Sequence, residues 1–178
     1  MNTAVFLDRD GVINKSIVRE GKPFSPMVFN DFIIKEGVKD AVLKLKNSVH
    51  YVIVVTNQPE ISRGNLQLIE LEKMHNFLKE NIELDHIYIC PHDNFDNCKC
   101  RKPNPGMLIA AASTYNLNLK KSFMVGDRSS DIQAGVAAGT TNFFIRHGYN
   151  EPEPDLGCTK VDTLKAAVLL IEKMVAIK

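Results

Sequence analysis

The chain has 178 residues, 22 basic against 21 acidic for a formal charge of +1, and 44% of its residues are hydrophobic. That length supports one domain, residues 1–178, burying roughly two thirds of its unfolded surface, and the near-neutral balance excludes a broad basic face for nucleic acid or anionic lipid. No stretch approaches the roughly 20 apolar residues of a membrane span, and the N-terminal MNTAVFLDRDG has no basic region leading into an apolar one, so a cytoplasmic protein without membrane contact is expected.

Residues 4–7 (AVFL) form the first short apolar run and read as a strand. The next segment, KSIVREGKPFSPMVFNDF at 15–32, is punctuated by Pro and Gly and is too short for a separate cap domain, so a minimal cap and an open site are expected. A helical pattern at 37–47 then leads to the strand YVIVVT at 51–56, and the helix LIELEKMHNFLKENI leads to the strand HIYIC at 86–90. PGMLIAAASTYNL, with Pro105 near its first turn, predicts a helix, followed by the strand SFMVGD at 122–127, the helix SDIQAGVAAG ending at Gly139, and a fifth strand TNFFI at 141–145. Residues 147–160 read as irregular chain, and a last amphipathic helix is expected from about Asp162 to Ile177.

Strands alternating with helices predict an α/β fold, a doubly wound parallel sheet whose near-continuous apolar strands are covered on both faces. Ligands bind beyond the carboxyl ends of such strands. The polar residues there are Asp8 and Asp10 after the first strand, Thr56 and Asn57 after the second, Cys90 after the third, and Asp127 after the fourth. Asp8, Asp10 (through its side chain or its carbonyl) and Asp127, with phosphate oxygens, supply the oxygen ligands magnesium prefers. Asp8 suits a carboxylate nucleophile and Asp10 an acid that protonates a leaving alcohol and then deprotonates water. An isolated D-x-D is more often a turn cap, and it is the other strand ends that favour the chemical reading. Thr56 and Asn57 offer neutral donors to phosphate oxygens, Lys102 an ammonium, and Arg101 a planar fork, although a basic pair in a loop also reads as solvated surface.

The segments FLDRDGVIN, VVTNQPEISRG, CRKPNPGM and FMVGDRSSDIQAG occur in this order. They resemble the four motifs of the haloacid dehalogenase-like phosphohydrolases, in the branch that holds heptose bisphosphate and histidinol-phosphate phosphatases. The resemblance implies a Rossmann-like haloacid dehalogenase fold, an aspartyl-phosphate on Asp8, acid–base catalysis by Asp10, phosphoryl stabilisation by Thr56 and Lys102, and magnesium on Asp8, Asp10 and Asp127. It also implies substrate contacts from Asn57, Arg101 and Arg128. Asp131 reads as a residue that opens the following helix, or as support for the metal site, and not as a ligand.

In CPHDNFDNCKC, the loop 90–100, Cys90, His92, Cys98 and Cys100 offer three thiols and an imidazole, a set that suits closed tetrahedral zinc. From spacing alone, reduced cysteines beside a surface histidine fit as well. The resemblance favours structural zinc, since this branch carries a zinc loop directly before C-R-K-P. His50, His75, His86 and His147 lack ligand spacing and are expected to be ordinary surface or partly buried residues.

The expected reaction is hydrolysis of D-glycero-D-manno-heptose 1,7-bisphosphate at the 7-phosphate. Histidinol phosphate or another sugar phosphate is the alternative. Pro59 and Glu60 stand where T-N-Q-S-G is the more usual pattern, and the 15–32 segment differs in length and charge; both bear on substrate, not on phosphoryl transfer. Arg19 and Lys22 fit either a distal phosphate or a solvated loop. A monomer with a small sugar phosphate as its partner is expected. A zinc-stabilised binding protein without catalysis is the contrasting class, opposed by the intact acidic motifs and by Asp93 and Asp96 in the zinc loop.

Overall fold

The computed structural model describes residues 1–176, and in it six parallel strands form one sheet with helices on both faces. The main elements are β1 (Ala4–Leu7), the short strands β2 (Ile17–Arg19) and β3 (Lys22–Phe24), α1 (Val38–Ser48), β4 (Tyr51–Asn57), α2 (Leu68–Asn81), β5 (His86–Cys90), α3 (Gly106–Tyr115), β6 (Phe123–Gly126), α4 (Ser129–Ala138), β7 (Thr141–Ile145), β8 (Thr159–Val161) and α5 (Leu164–Ala176). The sheet order is β5-β4-β1-β6-β7-β8. The chain builds outward from β1 to β5 and then crosses back to β6, so the order reverses at β1 and leaves a crevice at its carboxyl end.

Successive strand residues point to opposite faces, and β1 shows the consequence directly. Val5 and Leu7 join Val52, Val54, Val125 and Phe143 in one core, under α1, α2 and α5. Ala4 and Phe6 join Ile53, Val55 and Met124 in the other, under Met107, Leu108 and Ala111 of α3. The register aligns Leu7 with Val54 on one side and with Val125 on the other. The residues that follow these three positions therefore emerge side by side.

Two differences from the sequence expectation concern short strands. Residues 159–161 pair in parallel with Phe143–Ile145 as a sixth strand, where irregular chain was expected. Three residues are too few to show a period, so only the partner strand defines them. The 15–32 segment contains the antiparallel hairpin β2–β3, turning through Glu20 and Gly21, both at positive φ (50° and 76°). A two-residue turn of that kind matches strand twist, whereas Pro23 argues against a strand and is tolerated here in a two-stranded ribbon. The helices fall near their expected bounds, with Gly139 at φ 82° closing α4. Ile177, the expected end of the last helix, lies outside the described residues.

Candidate active site

Beyond Leu7 the chain enters a tight turn in which the Arg9 carbonyl accepts from the N–H groups of Ile13 and Asn14. Gly11 permits it, at φ 90°, and a Cβ there would lie 1.9 Å from Asp127 Oδ2. Asp8 is buried at the end of β1, and its backbone N–H donates to the carbonyl of Val125 at 2.9 Å, locking the β1 and β6 ends together. Asp127 follows β6 and Asp131 stands in the first turn of α4, where its Oδ2 accepts from the N–H groups of Asp127 and Arg128. That bears out the reading of Asp131 as the residue that opens this helix. A carboxylate oxygen from each of Asp8, Asp127 and Asp131 lies within 4.8 Å of the others.

Lys102 is the counter-charge to this cluster. Its ammonium donates to Asp8 Oδ1 at 2.6 Å, to Asp131 Oδ1 at 2.6 Å and to the Val55 carbonyl at 2.8 Å, which uses all three of its hydrogens. Burial works against the Lys102 charge, but Asp131 and Asp8 outweigh it and hold the ammonium above its ordinary range. Burial raises Asp8 to about 7, with Lys102 pulling down and Asp131 and Asp10 pushing further up. Asp127 is raised well above the ordinary carboxylate value by burial, Asp8 and Asp131. Both oxygens of its carboxylate are buried without a hydrogen-bond partner. Three crowded carboxylates, of which Lys102 bonds only Asp8 and Asp131, fit a site that takes a hard cation.

Asp10 lines the same cleft as Asp8 but has its own set of partners. Its carboxylate accepts from Arg9 Nη2 at 3.0 and 3.1 Å, from Asn14 at 2.9 Å, from Ser25 at 2.8 Å and from Gln58 at 2.8 Å. Burial pushes Asp10 up, but the Arg9 charge and the bonds from Asn14 and Ser25 more than offset it, so its carboxyl lies below the ordinary range. Of the two routes left open for Asp10 toward a metal, its side chain is committed to these four donors, which leaves its carbonyl oxygen. Thr56, at the end of β4, is buried and accepts from Gln58 Nε2 at 2.8 Å.

The expected substrate contacts divide. Asn57 lines the cleft, but both polar atoms of its side chain are taken by the Lys102 backbone: Nδ2 donates to the carbonyl at 3.0 Å and Oδ1 accepts from the N–H at 3.1 Å. Its amide thus positions Lys102. Arg101 lines the same cleft and is steadied by Asn94 at 2.7 Å and by the His92 carbonyl at 3.1 Å. Arg128 lines it too, donating to the Pro23 carbonyl of β3. The cleft measures about 280 Å³ and also exposes Lys22, Ser25, Glu60 and Arg63. Sequence reasoning missed Arg9, Asn14, Ser25 and Gln58, and took His75, which is buried and meets Arg9 at 3.0 Å, for an ordinary residue.

Cys90, His92, Cys98 and Cys100 converge at the end of β5. The sulfur pairs lie 3.2–3.6 Å apart, and His92 Nδ1 lies 3.6 Å from Cys90 and 3.3 Å from Cys100. Tetrahedral zinc with bonds of about 2.3 Å to sulfur requires S···S edges of about 3.8 Å, close to these values. Burial and the Cys100 thiol push Cys90 up to about 12. Burial also opposes the thiolate at Cys98, yet the Arg101 N–H and the neighbouring cysteines draw it down to about 7. Crowded sulfurs of this kind fit a cation. The same Arg101 N–H reaches Cys98 Sγ at 3.3 Å, so the cluster holds the backbone that carries Arg101 and Lys102.

This geometry can be set beside known proteins. The profile of the HAD-hydrolase-like family matches residues 99–165. A Helicobacter pylori protein named D-glycero-beta-D-manno-heptose-1,7-bisphosphate 7-phosphatase is 36% identical over 167 residues, 88% of this chain and 92% of that protein. The chain belongs to the haloacid dehalogenase-like phosphatases. It is an enzyme, and phosphate ester hydrolysis is its chemistry. An Escherichia coli phosphatase of the same name is 37% identical over 158 residues, covering 82% of this chain and 80% of its own. Among solved structures, the D,D-heptose 1,7-bisphosphate phosphatase of B. bronchiseptica, complexed with magnesium and phosphate, is similar with a TM-score of 0.78 and 29% identity over 96% of this chain and 98% of its own. The phosphatase fold expected from the four motifs is therefore the observed one.

Proposed function

We propose that this phosphatase is one magnesium-dependent unit spanning the chain, that it forms an aspartyl-phosphate on Asp8, and that its substrate is D-glycero-D-manno-heptose 1,7-bisphosphate, cleaved at the 7-phosphate. The observation that carries the chemistry is the buried Asp8–Lys102 ion pair set against the unpartnered Asp127 carboxylate. The substrate rests on the names of the relatives that match four fifths or more of this chain. A cleft of about 280 Å³ lined by Lys22, Arg101 and Arg128 besides Lys102 supports a small polyanion with a second phosphate remote from Asp8, whereas Arg63 in the same lining is committed to Glu60 and Asp93.

In this reading Asp8, Asp127 and the Asp10 carbonyl hold magnesium, while Asp131 holds Lys102 and the backbone of Asp127 and Arg128. Bound there, magnesium supplies positive charge against phosphoryl oxygens that the carboxylates would otherwise repel. An oxygen of Asp8 attacks phosphorus and the ester P–O bond breaks, giving an acyl phosphate and an alkoxide that takes a proton from Asp10. Asp10 then removes a proton from water as it attacks the same phosphorus, which frees phosphate and restores Asp8. The arriving phosphate dianion raises the proton affinity of Asp10, which is low in the resting site. Thr56 and Lys102 hold the transferring oxygens, and Arg101 and Arg128 face the remainder of the sugar. The cysteine–histidine loop takes structural zinc, whose four ligands leave no place for water.

Phosphate release with magnesium from both anomers of heptose 1,7-bisphosphate, from histidinol phosphate and from other sugar phosphates tests the substrate. A kcat/KM above about 10⁴ M⁻¹s⁻¹ for heptose bisphosphate is the expected result, and a higher value for histidinol phosphate would displace the heptose assignment. Asp8→Asn should abolish turnover of every substrate. Activity retained in that variant would remove the aspartyl-phosphate mechanism.

A further inference from the structure

Arg9 is wholly buried although it carries a full charge, and the reading above gives it no task. Its guanidinium forks onto Asp10, Nε to Oδ1 at 3.3 Å and Nη2 to both oxygens, while its carbon lies 5.5 Å over the Phe32 ring. The remaining arm, Nη1, reaches His75 Nε2 at 3.0 Å. A guanidinium only donates, so Nε2 must present a lone pair and the ring proton must sit on Nδ1. His75 lies on the buried face of α2 with Leu71, Met74 and Leu78, an element that supplies no other group to the site. Without this acceptor, a charged donor would be left buried and unpaired, and only Asp10 itself would orient the fork.

We propose that Arg9 and neutral His75 form a positioning relay, in which the imidazole of α2 fixes the guanidinium that aims the Asp10 carboxylate. This rests on the reading of Asp10 as the acid–base residue. The relay explains why a charge is buried next to a site already crowded with charge: a planar fork sets both the angle and the distance of Asp10, whereas Asn14, Ser25 and Gln58 each donate one bond. It also turns the seating of α2 on the sheet into a determinant of turnover. Positioning errors of about 1 Å cost roughly a hundredfold in rate.

The test compares His75→Leu, which removes the acceptor, with His75→Gln, whose amide oxygen can restore it. The leucine variant should lose roughly ten- to a hundredfold in kcat with KM within about twofold, and glutamine should recover to within about threefold of the unmodified enzyme. In an Asp10→Asn background the leucine effect on residual turnover should disappear, since the relay acts only through Asp10. NMR of the imidazole nitrogens in the unmodified protein at neutral pH should show the Nδ1–H tautomer, a reading that survives even if the leucine variant fails to fold. Equal losses for leucine and glutamine, a loss confined to KM, an undiminished effect without Asp10, or an Nε2–H tautomer would each overturn the relay. Unchanged turnover in Asp10→Asn alone would remove the acid–base reading of Asp10, and the relay with it.

Discussion

Lys102 and the three carboxylates around it make the site electrostatically expensive until a cation enters. Burial, then Asp131 and Asp10 against the pull of Lys102, raise Asp8 from 3.8 to about 7. The folded chain therefore holds that proton more tightly than the unfolded one. Its contribution to stability is complete below about pH 4 and is lost as pH rises through about 7, with Asp127 shifted in the same direction. Magnesium competes with those protons, so added magnesium should raise Tm more at about pH 8 than at about pH 5. Calorimetry at the two pH values checks this, and an equal or reversed increment would refute the cation site. Asp8, Asp127 and Lys102 were legible in the sequence only together: each alone reads as a turn cap or solvated surface, and it is their occurrence in order at strand ends and in motifs that marks them. Arg9, Ser25 and His75 were not, since each looks like a surface residue until the fold buries it. Asn57 was legible in place but not in task, because only the folded chain shows both its polar atoms on the backbone of Lys102.

The loop 90–100 links β5 to that lysine. Cys90 ends the strand, Cys98 accepts from the Arg101 N–H, and Gly106 opens α3 so close to the loop that a Cβ would lie 2.2 Å from the Lys99 carbonyl. Cys98→Ser should therefore lower zinc content well below one ion per chain and reduce kcat by roughly tenfold or more, through displacement of Lys102. Metal analysis alongside steady-state kinetics reads both. Full zinc occupancy with unchanged kinetics would refute Cys98 as a zinc ligand. The helices and the five longer strands were readable from period and punctuation. The hairpin β2–β3 and strand β8 were not: a three-residue strand carries no period of its own, and Pro23 points away from one.

Across the whole molecule, the two cores divide the sheet's burial between its faces, and α3 stabilises the face beneath the cysteine–histidine loop. Leu108 is fully buried there with Phe6, Ile53 and Met124. Leu108→Ala should cost about 2–5 kcal/mol, seen as a lower urea midpoint with an unchanged slope. A loss below about 0.5 kcal/mol would mean that α3 is peripheral to the fold. The ion pair between Asp8 and Lys102 spans 94 positions of the chain, and the relay from Arg9 to His75 spans 66. No proteolytic fragment carrying only one half of the sequence can hold a working centre. A chain refolding from denaturant gains no catalytic power while β1, β4 and β6 remain unpaired. Recovered turnover is therefore a clock for closure of the central sheet, and it will lag any signal that reports helix formation alone.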